Sequence, residues 1–175
     1  MSFARVRALV VVGVLFLSAV VLVGMALAKD TQGGGPVAQN CPPGWPVANI
    51  RLPEPKEVKI NVYNATDSPG LASGVASDFR NQAFVIGKTG NDPKKKAVSA
   101  VAVLRYGPKA VGAAHLLRAY FLDEAQTEFD IKRRDDVVDV VIGTSYKQLA
   151  TPTEMRQSLA ALGNPTLPEG TCAGT

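Results

Sequence analysis

From Glu57 onward the spacing of apolar positions switches between two periods, and each switch marks an element. Val58, Ile60 and Val62 alternate with Lys59, Asn61 and Tyr63, the period of a strand with one face buried. The run ends in Asn64 to Gly70, where Ser68 is placed to cap a helix and Pro69 to occupy its first position. Leu71, Val75 and Phe79 then fall on one face of a helix reaching about Gln82. Phe84-Val85-Ile86 predicts the next strand and Gly90 to Pro93 a turn. Ala97 to Tyr106 is apolar at most positions on both faces, the pattern of a central strand. Gly107-Pro108 opens a second helix, with Val111, Ala114, Leu117 and Phe121 along its buried side. Thr127 to Lys132 predicts a strand with Phe129 and Ile131 inward, Arg133 to Asp136 a charged turn, and Val137 to Ile142 a β-branched strand. Thr151, Pro152 and Glu154 form a capping box ahead of a last helix. In it Met155, Leu159 and Leu162 share a face, and Gly163 and Pro165 end it. The order predicts an α/β fold, an α+β two-layer sandwich: βαβ-βαββ with an added C-terminal helix and the helices on one face of the sheet.

Ahead of this region the pattern has no period. Ala8 to Ala28 is 21 residues without a charge, and Ser18 is its only polar side chain. As a helix it would extend about 31 Å, enough for a bilayer core of about 30 Å. Arg5 and Arg7 precede it, so the positive-inside rule puts residues 1–7 in the cytoplasm and the remainder outside. The expectation is a single transmembrane anchor at 8–28. Ala26-Leu27-Ala28 also fits a cleaved signal peptide, and either reading exports the domain.

Thr31 to Pro55 holds half of the chain's 12 prolines and the run Gly33-Gly34-Gly35. Such a stretch cannot be a regular helix or a central strand, and 29–56 is expected to be a semi-rigid linker arm. Trp45 in it reads either as a packing lid or as a stacking face for a sugar or lipid. Cys41 lies in the arm and Cys172 close to the C-terminus. In an exported chain this pair predicts one disulfide clasping the two margins of the domain. Pairing between chains, or a lipid on Cys41, are the alternatives.

Composition narrows the chemistry. Of 19 basic residues two precede the apolar run, leaving 17 against 15 acidic ones. That is no bias toward nucleic acid. Two cysteines and one histidine exclude the common four-ligand zinc sites by count, so neither a metal nor a cofactor is expected. His115 sits in the second helix with no nucleophile signature near it in the sequence, and reads as a packing residue. Asp123-Glu124 and Asp135-Asp136 read as solvated turn charge, although a glycosidase would use a carboxylate pair. Lys94-Lys95-Lys96 is either a solubilising turn or a contact for anionic headgroups or wall polymers. Gly87-Lys88-Thr89-Gly90 lacks the spacing of a phosphate loop. No catalytic residue stands out. If the third and last strands are neighbours, Arg105, Tyr106, Thr144, Ser145 and Tyr146 are expected to converge at the strand ends as a ligand site. There Arg105 would clamp an anion and the tyrosines would offer apolar faces.

The run Val58-Lys59-Ile60-Asn61-Val62-Tyr63-Asn64-Ala65-Thr66, followed by Gly70-Leu71-Ala72, Val75-Ala76 and Phe84-Val85-Ile86, resembles the opening of a LytR C-terminal-type domain. Val140-Val141-Ile142-Gly143 to Tyr146 is similar to the closing strand and turn of that family. The resemblance implies a domain at 57–149, followed by a C-terminal helix and tail at 150–175. In the LytR-CpsA-Psr family such a domain follows a phosphotransferase domain that attaches glycopolymers to peptidoglycan. Here only the arm stands between the apolar run and the first strand. The arrangement is similar to that of actinobacterial envelope proteins. It implies a non-enzymatic role in cell-envelope integrity, with the membrane, a cell-wall glycan, a lipid or an envelope protein as partner.

Overall fold

The computed structural model describes residues 3–29 and 41–173. The chain divides into two units, Met1–Val37 and Ala38–Thr175. The first contains α1 (Phe3–Lys29), 27 residues long, whose described side chains from Val12 to Val23 are all exposed. Among the described residues no helix is long and apolar enough to cross a membrane. The side chains at 8–11 and 24–28, parts of the expected anchor, lie outside the described residues, as does 30–40 of the expected arm.

The second unit begins with β1 (Val47–Ala48) and a 3-10 turn at Pro55–Glu57, followed by β2 (Lys59–Asn64), α2 (Leu71–Asn81) and β3 (Val85–Asn91). Next come β4 (Ala102–Tyr106), a 3-10 turn at Pro108–Ala110 that runs into α3 (Val111–Tyr120), β5 (Gln126–Phe129) and β6 (Val137–Ile142). The chain closes with α4 (Pro152–Leu162) and β7 (Cys172–Ala173). Five strands form one sheet in the order β3-β2-β6-β4-β5. β2 runs parallel to both β3 and β6, β4 runs antiparallel to β6, and β5 is parallel to β4. Two strand-helix-strand units, β2-α2-β3 and β4-α3-β5, therefore flank β6 and point in opposite directions.

The core lies on one face of this sheet. Ile60 and Val62, Val138, Val140 and Ile142, and Ala102 and Leu104 are buried against α2 and α3. Phe79 from α2 meets Phe84, Tyr120 and Phe121 with ring centroids 5.1–6.0 Å apart, which puts both helices over one cluster. The alternate positions Lys59, Asn61, Asp139, Arg105 and Glu128 carry polar and charged groups on the other face. That alternation is what a sheet covered by helices on one side requires.

Several boundaries differ from the sequence reading, each for a physical reason. Helix α2 is preceded by Gly70 at φ 78°, not by a Ser68 cap. Strand β3 runs on past Ile86 to Asn91, into the turn expected at Gly90 to Pro93, because an edge strand pairs through its backbone and needs no apolar side chains there. The apolar stretch Ala97–Val101 is not strand. It packs across the end of the sheet, accepting from Thr144 N–H at Val98 O (2.9 Å) and from Gly143 N–H at Val101 O (3.1 Å). A Cβ on Gly143 would collide with the carbonyl of Ala100, so this close crossing needs glycine. Strand β5 starts at Gln126 and stops at Phe129, leaving Ile131 exposed in the turn. The capping box forms as expected, with Glu154 N–H on Thr151 Oγ1 and the Glu154 carboxylate on Thr151 N–H.

The described part of the arm lies on the domain. β1 pairs in parallel with β7, Ala48 is buried, and Cys172 N–H donates to Pro46 O at 3.0 Å. Asn49 N–H donates to Pro108 O at 2.8 Å, and Gly112 N–H to Asn49 O at 2.9 Å. A Cβ on Gly112 would strike the Arg51 carbonyl. Cys41 and Cys172 form the expected disulfide, with Cα atoms 5.9 Å apart.

Candidate functional site

The five residues expected to converge fall into two groups. β4 and β6 are neighbours, but they are antiparallel, with Ala102 opposite Ile142 and Arg105 opposite Asp139. Arg105 and Tyr106 therefore lie at one end of the sheet, and Thr144 to Tyr146, beyond the end of β6, at the other. The offset of about five residues corresponds to roughly 16 Å along a strand.

Each group has an evident local task. Arg105 reaches along the helix-free face to Asp92, donating from Nη1 to Oδ1 at 2.6 Å and from Nη2 to Oδ2 at 3.0 Å. Its Nε donates to Glu128 Oε2 at 2.8 Å, and Lys94 Nζ closes the network on the same carboxylate. The pair is largely withdrawn from water, with side-chain exposures of 12% for Arg105 and 1% for Asp92. Burial by itself would raise the Asp92 carboxyl. The two bonds from Arg105 and the Lys94 amide outweigh it and hold Asp92 below the ordinary carboxylate range. Beside them Arg133 donates to Asp139 Oδ2 (2.8 Å) and to the Arg105 carbonyl (3.1 Å). Tyr106 turns to the helix side and packs on Phe129, ring centroids 5.6 Å apart.

At the other end, Ser145 Oγ donates to Ser99 O at 2.6 Å. Tyr146 packs against Phe121, and burial pushes its phenol up to about 12. The turn from Thr144 to Tyr146 thus holds the 92–101 loop and the end of α3 in place.

A cleft of about 520 Å³ opens at the carboxyl ends of β2 and β3. Its walls are the loop Asn64–Pro69 and the segment Asn91, Asp92 and Lys95–Ala97. The two loops leave the strand ends in different directions. One turns into α2 over the helix-covered face; the other crosses the sheet to β4. Crevices form where neighbouring connections diverge in this way, and ligands of open α/β sheets bind there.

The first loop is braced by Asn64. Its Nδ2 donates to Ser68 O at 2.7 Å, and its Oδ1 accepts from Thr66 N–H (2.9 Å) and Thr66 Oγ1 (2.8 Å). Asn64→Ala is expected to cost about 1–3 kcal/mol by removing these bonds and stranding the partners they satisfy. Urea unfolding checks this; a change under about 0.5 kcal/mol would mean that the loop holds its shape without the amide.

Lys95 is held at φ 49°, with its N–H on Asp92 O at 2.9 Å. This is a left-handed conformation that a non-glycine residue adopts at some cost. Lys94 is paired with Glu128, whereas Lys95 and Lys96 have no acidic partner among the described residues.

Most of the other candidates raised by the sequence are engaged in the structure; Glu124 is exposed with no side-chain partner among the described residues. His115 is buried, with Nε2 2.9 Å from Gly163 O, and so ties α3 to the end of α4. Asp123 is paired with Arg118, Asp135 with Arg133 and Asp136 with Lys59. No group of three or more His, Cys, Asp or Glu side chains suited to a metal occurs among the described residues. Trp45 is exposed. Sequence reasoning missed Asp92, whose Gly-Asn-Asp-Pro setting reads as a turn and carries no signal of a buried ion pair.

Comparison with known proteins places this architecture. No curated protein matches the chain. Among solved structures it is similar to the soluble domain of a conserved hypothetical secreted protein from Mycobacterium marinum. The TM-score is 0.54 at 24% identity, over 74% of this chain and 80% of that one, a likeness of fold. Residues 57–146, which hold the whole five-stranded sheet with α2 and α3, match the family described as LytR cell envelope-related transcriptional attenuator. The chain belongs to this LytR C-terminal family.

Proposed function

We propose that the protein is a single-pass, membrane-anchored domain outside the cytoplasm that supports cell-envelope integrity by binding an envelope component, without catalysing a reaction. Membership of an envelope-related family over residues 57–146 carries this reading. Three further features support it. The 21-residue uncharged run from Ala8 to Ala28 has the length of a bilayer span. The Cys41–Cys172 disulfide fits an oxidising compartment. The paired state of Asp123, Asp135 and Asp136 favours binding over acid-base work. In layout the chain resembles the mycobacterial envelope integrity protein Cei.

The test is topology in intact cells. External protease is expected to degrade the domain while the protein sediments with membranes, and both cysteines should resist alkylation until reduced. Protection from protease together with free thiols would overturn the proposal. Docking of an envelope enzyme, in place of a glycan or lipid, would appear as stoichiometric co-purification from membranes through the domain.

A further inference from the structure

We infer that the surface around Leu122 docks a second copy of this chain, in a two-fold contact where each Leu122 enters the other copy's depression beside Tyr146. This surface shares no lining residue with the cleft at the ends of β2 and β3. The first argument is the residue itself. Leu122 follows the end of α3 at φ 53°, and Asp123 comes next at φ 65°. The corresponding left-handed positions after α2 and α4 hold small residues, Ala83 at φ 71° and Gly163 at φ 68°. A helix end of this kind favours glycine, and a leucine there carries backbone strain. Burial does not offset the strain, because Leu122 remains 45% exposed. Neither the turn nor the core calls for this side chain, and contact with another molecule does.

The second argument is the ground on either side. Leu122 borders two depressions, one of about 750 Å³ and one of about 500 Å³. In the larger, the turn after α3 supplies Phe121, Leu122 and Glu124, and the turn after β6 supplies Tyr146 and Lys147. The Phe121 and Tyr146 rings meet with centroids 6.3 Å apart. The smaller is bordered by Ala161 and Leu162 of α4. Both turns are held in shape: Arg118 grips Asp123 at 2.6 Å, and Ser145 Oγ donates to Ser99 O at 2.6 Å. Little ordering cost therefore falls on association. An apolar protrusion beside an aromatic-lined depression can enter the same depression on another copy, and two-fold symmetry makes the fit reciprocal.

The third argument is charge, and it selects the occupant. Glu124 on one wall and Lys147 on the other are exposed, and neither has a side-chain partner among the described residues. The other acids bordering the two depressions are engaged, Asp123 with Arg118 and Glu154 with Thr151. Asp78 of α2 acts on the Tyr146 phenol but lines neither depression. The lining thus carries one free acid and one free base, with no net charge to draw in a polyanion or a charged lipid surface. An acid and a base on opposite walls are self-complementary about a two-fold axis: Glu124 of each copy faces Lys147 of the other, giving two ion pairs per dimer. Aromatic side chains inside a polar rim are what a protein contact presents.

The experiment is sedimentation equilibrium of the full-length chain in a density-matched neutral detergent. A monomer–dimer equilibrium is expected, and a chain that stays monomeric up to about 100 μM would overturn the inference. L122G suits the backbone and removes the side chain; it should weaken association tenfold or more with a Tm no lower than that of the native chain. E124K or K147E alone brings like charges together twice and should also weaken it tenfold or more. E124K/K147E should recover association, and an equimolar mixture of the E124K and K147E chains should associate at least tenfold more tightly than either alone. D78N and K88E, outside the lining, should change it less than twofold. Association that is equal in L122G, E124K, K147E and the native chain would assign the contact to another part of the molecule and overturn the inference. So would a mixture no tighter than its components. Cross-links formed in membranes from position 122 to a different protein, with none between copies, would give the surface to that protein and overturn the assignment to a second copy.

Discussion

Replacing Cys41 and Cys172 with alanine is expected to lower the stability of the domain by about 4–5 kcal/mol. The disulfide joins residues 131 apart in sequence, and a loop of this length loses the most chain entropy in the unfolded state. For a domain of this size the loss corresponds to a fall in Tm of about 15–20 °C. The bond's second effect is local. Residues 41–48 meet the C-terminal tail through the two-residue pairing of β1 with β7 and the Cys172 N–H to Pro46 bond. So short a ladder cannot hold by itself. The variant is therefore expected to lose protection in both margins together, with new protease sites in 41–55 and 164–173. Calorimetry with and without reductant, followed by limited proteolysis, checks both effects. A fall below about 1 kcal/mol would mean that the packing around Asn49, Gly112 and Pro108 secures the arm unaided.

Arg105→Ala is expected to cost about 3–5 kcal/mol at pH 7, because it leaves the Asp92 charge buried without its partner. The pH dependence carries the diagnosis. In the native protein the folded Asp92 pKa lies below its unfolded value of about 3.9. Its stabilising contribution is therefore complete above that value and is lost as pH falls through the folded pKa. In the variant, burial acts with nothing from Arg105 to oppose it, and the folded pKa moves above the unfolded one. The group then favours the fold only in its protonated form, so stability falls as pH rises through the raised pKa. The deficit of the variant should be largest near pH 7 and shrink toward pH 4. Adding Asp92→Asn should recover part of the loss at pH 7 and remove its pH dependence. Urea unfolding of the two single variants and the double at pH 7 and pH 4.5 measures this. A deficit equal at both pH values would mean that Arg105 acts through packing of its stem and not through Asp92.

What could be read from the chain alone was whatever depends on neighbours a few residues away. The alternation at Val58, Ile60 and Val62 marked β2, and the spacing of Val111, Ala114 and Leu117 marked α3, although nine of that helix's ten residues are buried and not the predicted face alone. Thr151, Pro152, Glu154 and Gly163 bracketed α4. These are signals of backbone geometry and capping, which repeat wherever the local pattern repeats. The cysteine pair was legible for another reason: with two thiols in the chain there was one intramolecular partner for each.

The rest depended on which segments meet. Ala97 to Val101 carries the apolar pattern of a strand, yet it serves as a crossing over Gly143 in which Val98 is buried and Ala97 and Ser99 are exposed, since the chain's path there is set by backbone contacts at the sheet end. Gly90 and Asn91 look like the start of a turn but end an edge strand, because β2 supplies their hydrogen bonds. The antiparallel setting of β4 against β6 separated Arg105 and Tyr106 from Thr144 to Tyr146. The same setting brought Arg105 over a buried Asp92, so that Asp92 pairs with Arg105 and not with Lys95 or Lys96 beside it in the cleft wall. Side-chain period specifies which face of a strand is apolar and is silent about the strand's direction relative to its neighbour. Direction is set by the packing of α2 and α3 on one shared core, and with it the position of every charged group on the open face.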